Sequence, residues 1–351
     1  MFQVIDAETA DEVWQRAAQW FLPGGLAVPQ ASRGGATTEV LHAALSIRDP
    51  RQRWIGSRVP AMNPAFAIAE VVWILSGRND SAFLNFFNPV LPKFQGNGPT
   101  YHGAYGFRLR HQLGLDQLER AYRALSVQSN SRQVVLQIWD AREDLPRDDG
   151  SPQSPDIPCN VAALLKVREG KLEWTQLMRS NDLFRGLPHN IVQFTCLQEV
   201  FAGWLGLEPG TYNHVSDSLH LYANDGDVAG RVRPMSVPLN QDSLGLPKLE
   251  SDTAFARLSA FGDLLAANDS KPADVIGSLG NLSLPVAHAN FAAIMAADAL
   301  RRKGAPEYAA EAAAKCSNEC LSLLFSRWSE RTERRYFLES QTPSQAHAIQ
   351  D

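Results

Sequence analysis

The chain has 351 residues, 44% of them hydrophobic and 20% charged, fractions of a globular protein that exclude a disordered or collagen-like chain. Lys+Arg 33 against Asp+Glu 38 leaves a formal charge of -5, which gives no support for nucleic-acid or membrane-surface partners, since these call for a net basic field. No run reaches the roughly 18 consecutive apolar residues of a membrane span, the start MFQVIDAETADEV lacks the basic residues of a secretory signal, and Cys159, Cys196, Cys316 and Cys320 are too few for a disulfide framework; a cytoplasmic protein with reduced thiols is expected.

Thr9-Ala-Asp-Glu12 has capping-box spacing, and Val13, Trp14 and Ala17 follow at helical intervals, predicting a first helix. A short alternating stretch near 38–47 reads as a strand. Asn63-Pro64 reads as an N-cap with proline at the first helical position, opening a helix through Leu75 that ends near Gly77. Residues 78–110 are rich in proline and glycine and read as functional loop. Arg132–Trp139 reads as a strand, and 143–158, with four prolines, as a surface loop. Cys159–Val167 and Lys171–Met178 flank Glu169-Gly170, a hairpin signal. Pro188–Leu205 reads as a helix closed by Gly206, and His214–Tyr222 as a strand. After about 245 the texture becomes Ala-rich and helical, over 253–268, 285–303 and 306–330. This gives three expected units: 1–245, an α-helical extension over 246–335, and a flexible tail over 336–351. The Ala-rich faces are expected to pack on the core, with a partner-binding module as the other possibility.

Several side chains resist a purely structural explanation. Glu70 stands among Phe66, Ala67, Trp73 and Ile74 at helical spacing, so a carboxylate lies on an apolar face. It either has a buried partner or is a catalytic group with a raised pKa. Cys159 follows the Pro-rich loop at a strand start; it is either a small buried hydrophobe or a nucleophile needing a nearby cation. The run from Arg179 to Asn190 is dense in polar groups and leads straight into a helix. Arg179 and Ser180 suit an anion, whereas Asn190 taken alone reads as a cap. His220 and Tyr222 share one strand face. Cys316 and Cys320 lack paired histidines for zinc, Gly96-Asn-Gly98 lacks the context of a dinucleotide loop, and no Walker A motif or Gly-x-Ser-x-Gly elbow occurs.

Together these pieces resemble the folate-dependent thymidylate synthase family. RSNDLFRGLPHNI is similar to that family's Arg-Ser-x-Asp-x-Phe-x-Gly-x-Pro-x-Asn signature, and Pro158-Cys159 to its nucleophile dipeptide. IAEVVWIL resembles its glutamate helix, AYGFRLR its Tyr-Gly segment, SRQVVLQIW its arginine strand and HLYAND its His-x-Tyr segment; the match is collinear over roughly 30–230. The resemblance implies an α+β, three-layer fold with a mixed sheet, carrying here a C-terminal helical extension. It implies transfer of a one-carbon unit from 5,10-methylenetetrahydrofolate, without a metal, to carbon 5 of a pyrimidine nucleotide. Carbon 5 is a poor nucleophile until a thiolate adds to carbon 6. Cys159 would supply that thiolate, and Arg179 would favour it.

By the same resemblance Asn190 would read the pyrimidine edge, uracil rather than cytosine, and His220 and Tyr222 would bind the sugar hydroxyl. Arg33, Arg179 and Ser180 would hold the phosphate, with Arg132 reaching in from the second subunit of a homodimer. Glu70 would move protons through water, Tyr105 would help remove the carbon 5 proton, Asp182 would orient the pterin, and Gly186 would lie on the folate side.

Departures cluster on the folate side. Gln133 stands where the family has a second strand arginine, with Arg185 a candidate to compensate. Asn160 replaces the histidine after the nucleophile, and Asp156 an apolar residue. Leu91 and Phe94 lie where paired tryptophans belong, Asp217-Ser218-Leu219 replaces a Gly-Asp, and helices after 245 replace the family's C-terminal tail. Hydride transfer from folate needs water excluded, so polar walls favour a hydroxymethyl product over a methyl one. Thymidylate synthesis from deoxyuridylate is the first expectation, hydroxymethylation of deoxyuridylate or a cytosine nucleotide the alternative, and a non-catalytic nucleotide binder the third.

Overall fold

The computed structural model describes residues 1–32 and 34–341, and side-chain surroundings through residue 332. The capping box closes as its spacing requires: Thr9 Oγ1 accepts the Glu12 N–H at 3.2 Å, and Glu12 Oε2 accepts the Thr9 N–H at 3.4 Å. In chain order the elements run β1 (Gln3–Ala7), α1 (Ala10–Gln19), β2 (Val28–Ser32), β3 (Gly35–Ile47) and α2 (Pro64–Leu75). Next come α3 (Ser81–Phe87), α4 (Pro92–Gln95), α5 (Tyr105–Phe107), α6 (Gln117–Val127), β4 (Val135–Gln137) and α7 (Ala141–Asp144). The hairpin β5 (Asn160–Arg168) and β6 (Lys171–Met178) leads to β7 (Asn181–Asp182), α8 (Leu187–Trp204), β8 (Glu208–Tyr222) and α9 (Val228–Arg231). Then follow α10 (Lys248–Ala266), α11 (Pro272–Asn281), α12 (Val286–Arg302), α13 (Pro306–Ala314) and α14 (Glu319–Gln341).

One mixed sheet in the order β1-β3-β8-β6-β5-β4 carries the molecule, with β2 on β3 and β7 on β8. β6 and β7 run parallel to β8, and β3 antiparallel to it. Glu169 and Gly170 turn the β5–β6 hairpin with φ of 51° and 73°, the two positive angles of a type I′ turn. The inner sheet face packs on α8, α8 packs on α2, and α10, α12 and α14 pack on the far side of α2. These layers make an α+β fold. Both central helices are buried on nearly every side; α2 is apolar all round but for Glu70, and α8 buries Asn190, Gln193, Gln198 and Glu199 as well. In α2 every residue but Glu70 is buried, and in α8 every residue but His189 and Gly203. The C-terminal helices join the same buried cluster as the sheet, and no described helix is long and apolar enough to cross a membrane.

Three sequence expectations need correction. The strand predicted over 132–139 is confined to Val135–Gln137, so Arg132 precedes it. The helix predicted over 306–330 breaks into α13 and α14 because Asn318 caps a new start: its Oδ1 accepts the Leu321 N–H at 3.0 Å. Within the loop predicted over 78–110 lie α3, α4, α5 and a π-helical turn at Arg108–Gln112. Of the tail expected to be flexible, 342–351 lie outside the described residues.

Candidate active site

Cys159 precedes β5, at the end of the Pro-rich loop. A bulge between Asn160 and Ala162 breaks the β5–β6 register immediately after it, a device that re-aims side chains at strand ends. Arg179, at the end of β6, wraps this loop. Its backbone N–H donates to the Cys159 carbonyl at 2.9 Å, Nε to the Pro158 carbonyl at 3.0 Å and Nη2 to the Ile157 carbonyl at 3.1 Å. The same Nη2 lies 4.0 Å from the Cys159 sulfur. A partly buried thiol therefore sits beside a fixed guanidinium, the arrangement that favours thiolate.

Tyr105 approaches from the other side. Gly106 lets α5 lie on the end of α2, since a Cβ there would collide with the Ile74 backbone. Below it, Arg108 is locked in a buried fork with Asp144, at 2.6 and 3.0 Å, and donates to the Ile138 carbonyl at 3.0 Å. The Tyr105 phenol is held well above its ordinary pKa by burial first and then by Cys159, with Asp156 and Glu70 contributing in the same direction and Asn160 opposing. Sulfur, phenol and both carboxylates are thus within electrostatic reach of one point. Asp156 accepts the Gly103 N–H at 2.7 Å, and burial raises its pKa. Asn160 accepts from Gln176 at 2.9 Å, leaving its buried Nδ2 without a partner.

Between β6 and α8, Asp182 Oδ1 accepts the Phe184 and Arg185 N–H groups at 2.8 and 2.6 Å. Its Oδ2 is buried and unpartnered, and burial pushes the carboxyl up. Asp182 pairs with His220 across β7 and β8. His220 Nδ1 lies 3.3 Å from Ser180 Oγ and its ring meets Tyr222 edge-on at 5.3 Å; burial lowers its pKa while Asp182 opposes. Beneath them a neutral His214, pushed down to about 3 by burial, joins Asn181 at 3.0 Å and Tyr212 at 2.9 Å. Gly186 is required because a Cβ would strike the Asn181 side chain. Asn190 lies buried in the first turns of α8, with Nδ2 donating to Gln193 at 3.0 Å.

Most of the residues singled out in the sequence therefore fall around one place: Cys159, Arg179 and Tyr105 in mutual reach, and Ser180, Asp182, His220 and Tyr222 on adjoining strand ends. Arg132 is exposed, ahead of β4. Arg33 lies outside the described residues; its neighbour Gly34 packs so closely on Tyr222 that a Cβ would stand 2.7 Å from the hydroxyl. Arg185 pairs with Asp225 at 2.9 Å and lies over the Phe94 and Tyr222 rings at 5.5 and 5.3 Å.

Sequence reasoning missed His189. It occupies a variable position of the Arg-Ser signature, one residue before Asn190, so only its spacing from the helix start could have flagged it. In the structure its Nδ1 stands 3.1 Å from Glu70 Oε2.

Comparison with known proteins agrees with this geometry. The sequence profile described as thymidylate synthase matches residues 58–261, more than half of the chain. A deoxyuridylate hydroxymethyltransferase of Pseudomonas phage M6 is 38% identical over 176 residues, covering 50% of this chain and 48% of that protein. Another, of Bacillus phage SP01, is 34% identical over 206 residues, covering 56% and 53%. A putative thymidylate synthase of Methanothermobacter marburgensis is 28% identical over 220 residues, covering 62% of this chain and 92% of that protein. The chain spans about half the length of the two phage relatives it matches. With the profile laid over α2, the Cys159 loop, the Arg179–Asn190 run and the His220 strand, the chain belongs to the thymidylate synthase family.

Proposed function

We propose that the chain transfers a one-carbon unit from 5,10-methylenetetrahydrofolate to carbon 5 of deoxyuridylate, with Cys159 as the covalent nucleophile. The observation that carries this reading is the Arg179 guanidinium 4.0 Å from the Cys159 sulfur, with Tyr105 on the helix that packs against α2 and its Glu70. Thiolate addition to carbon 6 makes carbon 5 nucleophilic, and Arg179 stabilises the anionic sulfur before attack. Tyr105 and Glu70 would exchange protons at the ring. Asn190 offers an amide donor and acceptor to the base. His220 and Tyr222 would bind the sugar, and Arg179 and Ser180, with Arg33 by family resemblance, the phosphate.

Folate fits the remaining groups. The orphaned Oδ2 of Asp182 is an acceptor for an N–H of the pterin, beside Gly186, and Asp182 orients the ring there. When bound, folate supplies the one-carbon electrophile. The protein would work as a cytoplasmic homodimer in which Arg132 of one subunit reaches the phosphate of the other. On this reading residues 1–245 form the catalytic unit and 246–335 buttress the helix that carries Glu70.

The hydroxymethyl ending is better supported than the methyl one. Asp156, on the loop that ends at Cys159, and Asn160, next to it in sequence, add polar groups to this part of the site, where hydride transfer would need water excluded. Resemblance to the two phage deoxyuridylate hydroxymethyltransferases points the same way, and resemblance to the putative thymidylate synthase supports the methyl ending as a second reading. Incubation with deoxyuridylate and methylenetetrahydrofolate, followed by mass analysis of the nucleotide, tests both. Hydroxymethyl-deoxyuridylate without dihydrofolate is expected. Thymidylate with dihydrofolate would select the second reading, and unchanged nucleotide would refute one-carbon transfer.

A further inference from the structure

The two central helices each leave one polar side chain partly accessible. In α2 it is Glu70 and in α8 His189, and each is 15% exposed. They meet, with His189 Nδ1 3.1 Å from Glu70 Oε2. Neither atom has a well-directed hydrogen bond. Catalytic hydrogen bonds are commonly misaligned before the reactants bind, and a small rotation of the ring would align this one. The imidazole also packs on Phe66, one helical turn before Glu70, with ring centroids 5.0 Å apart. A polar pair where two buried helices touch carries a desolvation penalty, and packing alone would be served as well by two apolar side chains. Position decides the role: α2, which carries Glu70, packs on α5, which carries Tyr105.

We propose that His189 is a positioning residue for Glu70: its Nδ1–H holds the carboxylate toward the Cys159-linked nucleotide, and the two together seat the water that completes the reaction. This rests on the hydroxymethyl reading above. The water oxygen bonds to the exocyclic methylene carbon, and the methylene electron pair moves into the ring as an enolate at oxygen 4. Return of that pair restores the bond between carbons 5 and 6 and expels the Cys159 thiolate from carbon 6. The water proton passes to Glu70. Nothing is oxidised or reduced.

Two variants separate this role from packing. His189→Phe keeps a ring against Phe66 and removes both nitrogens, and His189→Gln keeps a donor. His189→Phe is expected to lower kcat for hydroxymethyl-deoxyuridylate by about 100-fold, in the range of a lost acid–base partner, while the Kd for deoxyuridylate stays unchanged. His189→Gln should recover a large part of that loss. Nitrogen-15 imidazole spectra of the ligand-free protein give a readout independent of turnover, in which the His189 Nδ1 signal should move in Glu70→Gln. Unchanged kcat in His189→Phe, equal losses in both variants with weakened nucleotide binding, or an imidazole signal indifferent to Glu70→Gln would overturn the proposal. A wild-type protein making no hydroxymethyl nucleotide, with the imidazole signal still following Glu70→Gln, would overturn the function proposed above and leave the pairing standing.

Discussion

His288 offers a quantitative test of the packing behind Glu70. It lies in α12, which packs on α2, and both its ring nitrogens are buried without hydrogen-bond partners. Its ring stands edge-on to Phe255 at 5.1 Å. Burial pushes the imidazole from 6.5 down to about 4, with Glu199 and Asp242 opposing. The unfolded chain takes up a proton near the ordinary value, and the folded chain refuses it until the pH is much lower. The stability tied to this group is therefore complete above the ordinary histidine pKa and is lost as the pH falls toward about 4. Between about pH 7 and about pH 5 that loss is about 2 kcal/mol. His214, pushed to about 3, adds a loss of about the same size over the same interval. His288→Leu removes the first contribution and orphans no partner, whereas replacing His214 would strand Asn181 and Tyr212. In urea titrations the wild type should lose about 2 kcal/mol more than the variant between the two pH values. At about pH 7 the two should agree within about 1.5 kcal/mol, because leucine is close to histidine in volume. Equal acid sensitivity in both proteins would refute a neutral, unpartnered imidazole at this position.

Other outcomes follow from single contacts. Asn190→Asp replaces the amide donor by an acceptor and should shift preference from uracil to cytosine nucleotides; unchanged selectivity in competition assays would remove Asn190 as base reader. Glu199→Gln strips the buried Arg53 of its carboxylate partner, which also pairs with Arg51 at 2.8 Å, and should cost about 3–5 kcal/mol in urea titration; a cost under about 1 kcal/mol would mean the pair is hydrated. Gly106→Ala forces α5 off the Ile74 backbone and should lower kcat by displacing Tyr105, with about 1–3 kcal/mol lost in stability; wild-type kcat would detach Tyr105 from the chemistry.

Much of the site could be read in the sequence because its residues sit on strongly patterned elements. Asn63-Pro64 and the capping box at Thr9 use local chemistry that a sequence displays directly, and both helices start where those residues place them. Glu70 stood out because a carboxylate breaks an apolar helix face. Its partner did not, because His189 lies more than a hundred residues away and its position in the signature carries no rule. The roles of Gly106 and Gly186 depend on backbones of other elements approaching within contact distance, which no local pattern records. Asn318 was legible in principle as a cap, but the Ala-rich run around it has unbroken helical periodicity, and the periodicity overrode the cap. Arg108 read as part of a functional segment, yet its fork with Asp144 is internal support. The strand at 132–139 is confined to Val135–Gln137 because regular pairing stops at the β5 bulge, where the Ile138 and Trp139 N–H groups share the Val161 carbonyl, and an apolar run does not record a partner's bulge.

The central claim is a bond from the Cys159 sulfur to carbon 6 of the pyrimidine. It is tested most directly by intact-protein and peptide mass spectrometry after incubation with 5-fluorodeoxyuridylate and methylenetetrahydrofolate. Fluorine at carbon 5 cannot leave as a cation, so the sequence halts with both reactants attached. The peptide containing Cys159 should carry nucleotide and folate together, and Cys159→Ala should carry neither while still binding the nucleotide. An unmodified wild-type protein, or a mass increase on Cys196, Cys316 or Cys320 instead, would contradict it.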